Sequence, residues 1–401
     1  MKLTDYISEE EIIKIFTDFV SVEGHKDVEA RESDSAQFIY DILKAEGIEV
    51  ELDEIEKNRP NVYGYLRGED EGIELMFNGH TDTIPGFSMD FEPFKPFEKD
   101  GKIYGRGTCD MKAGLTGYIA TLIALKRAGV KLKKTVMLAG VIGEEERSKG
   151  TERLIKKEIV ANKVIIGEPT ELKPSIAHKG MEWIQVKFTG RSTHGSKPKE
   201  GINAVYLASK FCNIVREDLQ EKIESKIFNL LGHGTINVGV IKGGNDPNIV
   251  PDECIVQIDR RWLPSETLEG IHKEVENVAK SVAEELGGKY EVRALREFTA
   301  SMINAPYNID REDEFVEDTL ESCEKVLGYS QEPVAFPAWS DAGLLSNHVG
   351  SKCIILGPGS INQAHSNNEF CKKDEIIKAG EIYFNLALKI CSQEEEKNEK
   401  A

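Results

Sequence analysis

Apolar and polar positions along the chain fall into two patterns. In the first, short apolar runs alternate with segments of helical period. Ile12, Ile13, Ile15, Phe16 and Phe19 recur at that period behind Ser8, a suitable cap, and predict a helix over 8–19. A second helix is predicted over 30–46, strands over 50–55, 61–66 and 73–77, a helix over 111–127, and buried strands over 135–142 and 164–166. Strands alternating with helices imply a mixed, mostly parallel sheet with helices on both faces. Near Lys179 the pattern changes. Trp183, Gln185 and Lys187 alternate with Ile184, Val186 and Phe188, as in a half-exposed antiparallel strand. A helix (203–216), two strands (235–241, 254–262), a helix (266–286) and a strand (289–295) follow, giving the β-α-β-β-α-β order of a ferredoxin-like α+β domain. The α/β style then returns with a helix over 312–327, a strand over 353–356, the turn Gly357-Pro358-Gly359 and a helix over 374–391. The expected organisation is therefore one α/β domain built from 1–178 and 297–401, interrupted by an inserted α+β domain over 179–296. The terminal run SQEEEKNEKA reads as a solvated, frayed tail.

Three of the buried strands release acidic or imidazole side chains where they end. Leu75-Met76-Phe77 runs into Gly79-His80-Thr81-Asp82, the 135–142 strand into Gly143-Glu144-Glu145-Glu146, and Val164-Ile165-Ile166 into Gly167-Glu168. Ligands of open α/β sheets sit at the carboxyl edge of the strands, so these residues converge. His80 and Asp82, two apart in extended chain, leave the same face and suit metal chemistry. Asp110 lies where a turn with Gly105 and Gly107 meets the helical pattern Met111, Leu115, Ile119, Leu122, Ile123. The glycines of GRGTCDMKAG match neither G-x-x-x-x-G-K-[ST] nor G-x-G-x-x-G, and acidic neighbours would repel phosphate, which sets a nucleotide site aside.

Length and charge narrow the partners. A chain of 401 residues favours two domains. A net charge of −19, from 51 basic and 70 acidic residues, disfavours nucleic acid and anionic membrane surfaces. The seven cysteines are scattered, odd in number and without a C-x-x-C pair, so they are expected to be free buried thiols in a reducing compartment. Cys109 lies beside the site but has no basic partner nearby in sequence to make it a nucleophile. The start, MKLTDYISEEEIIKIF, lacks the apolar core of a signal peptide, and no run approaches the about 18 apolar residues of a membrane span. The expected location is the cytoplasm, with no membrane and no nucleic acid as partner.

Seven motifs, in order, carry a family resemblance: GHTDTIP, GRGTCDMKAG, GEEERSKGT, GEPTEL, GRSTHGSKP, the segment from NIVPDE to DRRWLP, and GPGSINQAHSNNEF. Together they resemble the dinuclear zinc amidohydrolases and metallopeptidases that include acetylornithine deacetylase, succinyl-diaminopimelate desuccinylase, aminoacylase and glutamate carboxypeptidase. The resemblance implies a zinc-peptidase-like catalytic domain and makes the insertion a lid and dimerisation domain. Carried over position by position, it makes His80 and Glu168 ligands of one metal, Asp110 the carboxylate bridging both, and Glu145 and His365 ligands of the second. It implies a cis peptide after the bridging aspartate, here Asp110-Met111. Two divalent ions, zinc by preference with cobalt or manganese acceptable to so carboxylate-rich a set, would be the cofactors. Asp82 would hold the His80 imidazole in its tautomer. Glu144 would be the general base and return its proton to the leaving amine. Where many members have Asp before the two glutamates this chain has Gly143, and a third glutamate, Glu146, follows.

The resemblance also assigns residues of the insertion. His194 would reach into the partner subunit's site of a homodimer and stabilise the developing oxyanion. Asn248 and Arg261 would contact substrate, Arg261 through a carboxylate, and the turn at Gly357 and Gly359 would offer backbone N–H groups to that carboxylate. The implied activity is metal-dependent hydrolysis of the amide bond of an N-acyl amino acid. The alternatives are a carboxypeptidase or dipeptidase of the same family acting on a short peptide, and a non-catalytic dimeric binding relative.

Overall fold

Strands that are apolar at every position can only pair in the middle of a covered sheet, and the computed structural model, which describes residues 1–392, puts them there. The terminal charge run from residue 393 onward lies outside the described residues. The chain divides into two compact units, Met1–Ile176 with Ile309–Phe336 and Ser340–Ala401, and Ala177–Asn308 with Pro337–Trp339.

In the first unit the sheet runs Glu49–Glu56, Arg59–Leu66, Thr135–Val141, Ile73–His80, Ala161–Ile166, Lys352–Ile355, and then the strand that starts at Ser175. The central four, Thr135–Val141 to Lys352–Ile355, are mutually parallel, while the first two and the Ser175 strand are antiparallel to their neighbours. Thr135–Val141 is buried throughout, which is why it reads as a continuous apolar run. The helix Lys112–Arg127 is buried from Lys112 to Leu125 and packs against the terminal helix Lys373–Cys391 and the first helix, Glu9–Val20. Ser8 caps that first helix, its Oγ accepting from the Glu11 N–H at 3.2 Å.

Phe77, Tyr118 and Tyr383 form the centre of this core, with ring centroids 4.8–5.5 Å apart. Each such pair contributes about 0.5–1.5 kcal/mol beyond area burial. The phenol tips also find partners: Tyr383 donates to the Leu356 carbonyl at 2.6 Å and Tyr118 to the Ile165 carbonyl at 3.1 Å. The packing is closest where the helix passes the sheet edge. A Cβ on Gly114 would meet the Gly167 carbonyl oxygen at 2.4 Å, so only glycine lets the first turn of the helix lie against the segment that carries Glu168.

The second unit is an antiparallel sheet in the order Thr235–Gly243, Glu253–Trp262, Gly180–Thr189, Lys289–Ala294. The alternation that marks Gly180–Thr189 in the sequence is its burial pattern. Ile184, Val186 and Phe188 face the helices Ala204–Ile214 and Leu268–Leu286 and pack with Leu207, Phe211 and Val275. Thr267 caps the second helix through Gly270 N–H, and Gly287, at φ +78°, ends it. The first helix continues past its expected end through one π turn, Val215–Leu219, into Gln220–Glu224. This unit runs on to Asn308, beyond the boundary expected at 296. Trp262, Ile271 and Ala305 cluster together, Met181 N–H donates to the Asn304 carbonyl, and Trp339 Nε1 donates to the Ala305 carbonyl.

Three features lacked a period long enough to read: the helices Lys149–Lys156 and Ala342–Val349, and a small sheet of Phe97–Lys99, Lys102–Tyr104 and Phe370–Lys372. No helix among the described residues is long and apolar enough to cross a membrane.

Candidate metal centre

The parallel strands of the first unit end at one edge, and their terminal residues meet there. His80 is the last residue of its strand and is buried; its Nε2 lies 2.9 Å from Asp110 Oδ1 and 3.7 Å from Glu168 Oε1. Asp110 sits ahead of the buried helix, joined to Met111 by a cis peptide. Its other oxygen, Oδ2, is 3.3 Å from His365 Nε2, which is itself 2.9 Å from Glu145 Oε1. Two groups of donor atoms result, His80–Asp110–Glu168 and Asp110–Glu145–His365, and within each the atoms lie within 4.8 Å of one another. The Asp110 carboxylate belongs to both groups, one oxygen to each.

Asp82 is placed differently from expectation. The atom that fixes the His80 tautomer is the Asp82 backbone carbonyl, 2.9 Å from Nδ1, while its carboxylate Oδ1 stands 3.7 Å away. The strand ends at His80, so the alternation that would aim Asp82 beside the imidazole stops one residue too early. The carboxylate instead accepts the N–H groups of Gly143 (2.8 Å), Glu144 (3.3 Å) and Glu145 (3.1 Å). It thereby holds the turn that presents the two glutamates. The third glutamate turns away. Glu146 Oε2 accepts from Arg31 at 2.7 Å and Arg59 at 3.0 Å, and Arg59 makes a buried two-point pair with Glu32 at 2.5 and 2.8 Å.

The electrostatics call for a cation. Burial pushes the Glu144 and Glu168 carboxyls well above their ordinary range, and neighbouring negative charge (Glu168 on Glu144, Asp110 on Glu168) pushes them further. Burial likewise raises Asp82 to about 7, partly offset by His80. Burial opposes charge on Asp110 too, but the two imidazoles hold its carboxyl well below the usual carboxylate range. His365 is raised to about 10 by its hydrogen bonds to Asp110 and Glu145. Asp341, buried and within range of Glu144 and Glu168, adds to the excess of negative charge; its Oδ2 accepts from Thr151 at 2.5 Å. The charges of Asp110, Glu144, Glu145 and Glu168 match two divalent cations, and imidazole with carboxylate is a fitting donor set for them. The residues present fit the group.

The other expected site residues are placed as follows. In the second unit His194 is exposed, its Nδ1 2.8 Å from Ser196 Oγ, and it bridges to Ile249. Asn248 is exposed, its carbonyl accepting from Gly195 N–H at 2.6 Å. Arg261 lies half-buried on the Glu253–Trp262 strand and pairs with Asp259 through Nε and Nη2 at 3.0–3.3 Å. In the first unit the N–H groups of Gly357 and Gly359 are already taken, by Thr170 Oγ1 at 3.1 Å and Glu375 Oε2 at 2.9 Å. That turn therefore closes on its own chain and presents no unengaged donor at those two positions. Cys109 is buried, and burial raises its thiol well above the usual range, which leaves it inert as a nucleophile. Asp341 and the Arg59–Glu32–Glu146 group escaped the sequence reading, because long-range ion pairs leave no local period.

A mostly parallel sheet with five such side chains at its carboxyl edge is the framework of a metal-dependent hydrolase of amide or peptide bonds. The chain belongs to peptidase family M20/M25/M40, whose profile matches residues 76–389. Among its relatives, the acetylornithine deacetylase of Pasteurella multocida (strain Pm70) is 33% identical over 333 residues, covering 81% of this chain and 82% of the relative. The acetylornithine deacetylase of Aliivibrio salmonicida (strain LFI1238) is 31% identical over 353 residues, 86% of this chain and 88% of the relative. The crystal structure of a tripeptidase from Staphylococcus aureus subsp. aureus mu50 shares the fold, with a TM-score of 0.79 at 24% identity over 95% of this chain and 98% of that one.

Proposed function

We propose that the protein is an N-acyl amino acid deacylase of the acetylornithine deacetylase or succinyl-diaminopimelate desuccinylase type, acting as a zinc-loaded cytoplasmic homodimer. The observation that carries the choice of substrate class is the similarity to acetylornithine deacetylases, at about a third identity over four fifths of the chain. His80, Asp110 and Glu168 would hold one cation, and Asp110, Glu145 and His365 the other. When bound, the pair would act as Lewis acids that polarise the scissile carbonyl and make water a better nucleophile.

The remaining work falls to this chain's own side chains. Glu144, raised by burial and unbonded to its neighbours' side chains, is suited to take a proton from the attacking water and hand it to the departing amine. Asp82 fixes the direction in which Glu144 and Glu145 leave their turn, one toward the reacting atoms and one toward a ligand position. His194, exposed on the insertion, is free to serve the partner's site as an oxyanion donor. Asn248 and Arg261 are the substrate contacts proposed in the same unit, with the Arg261 fork taking the substrate carboxylate. The seven cysteines are all free, which suits a reducing compartment.

The test is a substrate panel (N-acetyl-ornithine, N-succinyl-diaminopimelate, other N-acetyl amino acids, dipeptides) assayed before and after chelation and after zinc or cobalt is restored. The expected result is metal-dependent release of the free amino acid from an N-acyl substrate. Cleavage confined to dipeptides would overturn the deacylase assignment. Turnover indifferent to a strong chelator would overturn the metal mechanism.

A further inference from the structure

The turn that carries Asp110 closes around a carboxylate that belongs to the chain itself. Glu369 is fully buried. Its Oε1 accepts the N–H groups of Cys109 (2.8 Å) and Asp110 (3.2 Å), and its Oε2 accepts Gly107 N–H (3.2 Å) and Arg106 Nη1 (2.6 Å). The Glu369 carbonyl in turn accepts Gly105 N–H at 3.2 Å. Gly107, at φ +79°, lets successive N–H groups point inward, which makes the turn an anion-binding concavity. Arg106 is equally buried and supplies the counter-charge.

Glu369 sits four residues after His365, and the next residue, Phe370, pairs with Tyr104 across the small sheet. One side chain therefore fastens the loop bearing His365 to the turn bearing Asp110. We infer that Glu369, with Arg106 as its counter-ion, is a positioning residue that sets the Asp110 carboxylate against His365 and so builds the position shared by Asp110, Glu145 and His365. This rests on the proposed sharing of Asp110 between two cations.

The arrangement tolerates no amide. Every partner of both oxygens is a donor, so in Glu369→Gln the –NH2 faces either the Cys109 and Asp110 N–H pair or the Gly107 and Arg106 pair, whichever way it is flipped. Glu369→Asp keeps the acceptor chemistry and shortens its reach by one methylene.

The experiment is a titration of the metal-free full chain with zinc by calorimetry, with bound zinc counted by atomic emission, repeated with cobalt to read the visible bands of each ion. Wild type is expected to take up two ions. Glu369→Gln is expected to lose about 10- to 100-fold in affinity for one of them and to change that ion's cobalt bands, with a smaller change at the other ion, which shares Asp110. Glu369→Asp is expected to fall between the two. Two ions bound by Glu369→Gln with wild-type affinity and spectra would overturn the inference. If that variant does not fold, Glu369→Asp decides in the same way, wild-type affinity and bands counting against. Uptake of fewer than two ions by wild type would instead overturn the shared-Asp110 reading, so the two failures are distinct.

Discussion

Removing the Arg59 guanidinium is the sharpest structural test of the loop that carries the glutamates. Arg59 and Glu32 are both almost wholly buried, at 8% and 2% side-chain exposure, and meet through three hydrogen bonds. Arg59→Met removes the hydrogen-bonded partner and leaves Glu32 in the interior with only Arg31 Nε, at 4.0 Å, as counter-charge, which costs up to about 3–5 kcal/mol. The further partners Glu56 and Glu146 are 41% and 35% exposed, and solvent screens each to about 1 kcal/mol or less. The main loss is therefore the stranded Glu32, not the broken contacts. That makes a second expectation: Arg59→Met/Glu32→Met, which deletes both charges, should recover most of the stability, because paired apolar replacements of a buried ion pair are close to neutral.

The assay can isolate the affected unit. Trp183, Trp262 and Trp339 are all in the second unit, so tryptophan fluorescence in urea follows that unit, while far-UV circular dichroism also follows the first. The single substitution should lower the dichroism midpoint, and the double should restore most of it. A single variant within about 1 kcal/mol of wild type, or losses from the two substitutions that simply add, would refute the reasoning.

Three more outcomes are expected. Glu144→Gln should retain its metal by atomic emission yet lose at least about 100-fold in kcat, the scale of a general base; near-normal turnover would disqualify Glu144. His194→Ala and Glu144→Gln, each inactive alone, should regain activity when mixed and allowed to exchange subunits, since a hybrid dimer carries one intact site; confirmed hybrids without activity would count against action across subunits. In the metal-free protein His365, raised to about 10 by Asp110 and Glu145, should still be protonated at pH 8 by NMR. A raised imidazole pKa stabilises the fold fully below its ordinary 6.5, and that contribution fades as pH climbs toward 10. Zinc should deprotonate the ring and abolish this dependence, and a ring already neutral at pH 8 without metal would contradict the geometry.

How much of this was legible in the sequence follows the range of the interaction. His80, Glu144, Glu145 and Glu168 stood out because each ends a buried apolar strand, and period plus burial is a local signal. Ser8 and the alternation over Gly180–Thr189 were readable for the same reason. The role of the Asp82 carboxylate was not, since it depends on the strand stopping at His80 and on a turn 61 residues away in sequence. Glu369 lies in a loop without periodicity, and its donors are about 260 positions earlier. Strands of three residues, such as Lys102–Tyr104, are too short for alternation to show, and Ala342–Val349 is too short for a helical stripe. The engagement of the Gly357 and Gly359 N–H groups by Thr170 and Glu375 likewise has no local sign.

The strand order has a bearing on how the chain is assembled on the ribosome. Lys352–Ile355 occupies the slot between Ala161–Ile166 and the strand starting at Ser175, although it is translated long after both. While the insertion is being synthesised, the nascent first unit presents the flank of Ala161–Ile166 as an unfilled parallel edge, with Val164 to Ile166 apolar along it. Such a gap is a place where newborn chains associate wrongly, and it is sealed only by the arrival of a strand almost 200 residues downstream. His365 follows that strand, so completion of the proposed ligand set comes after the sheet has been closed.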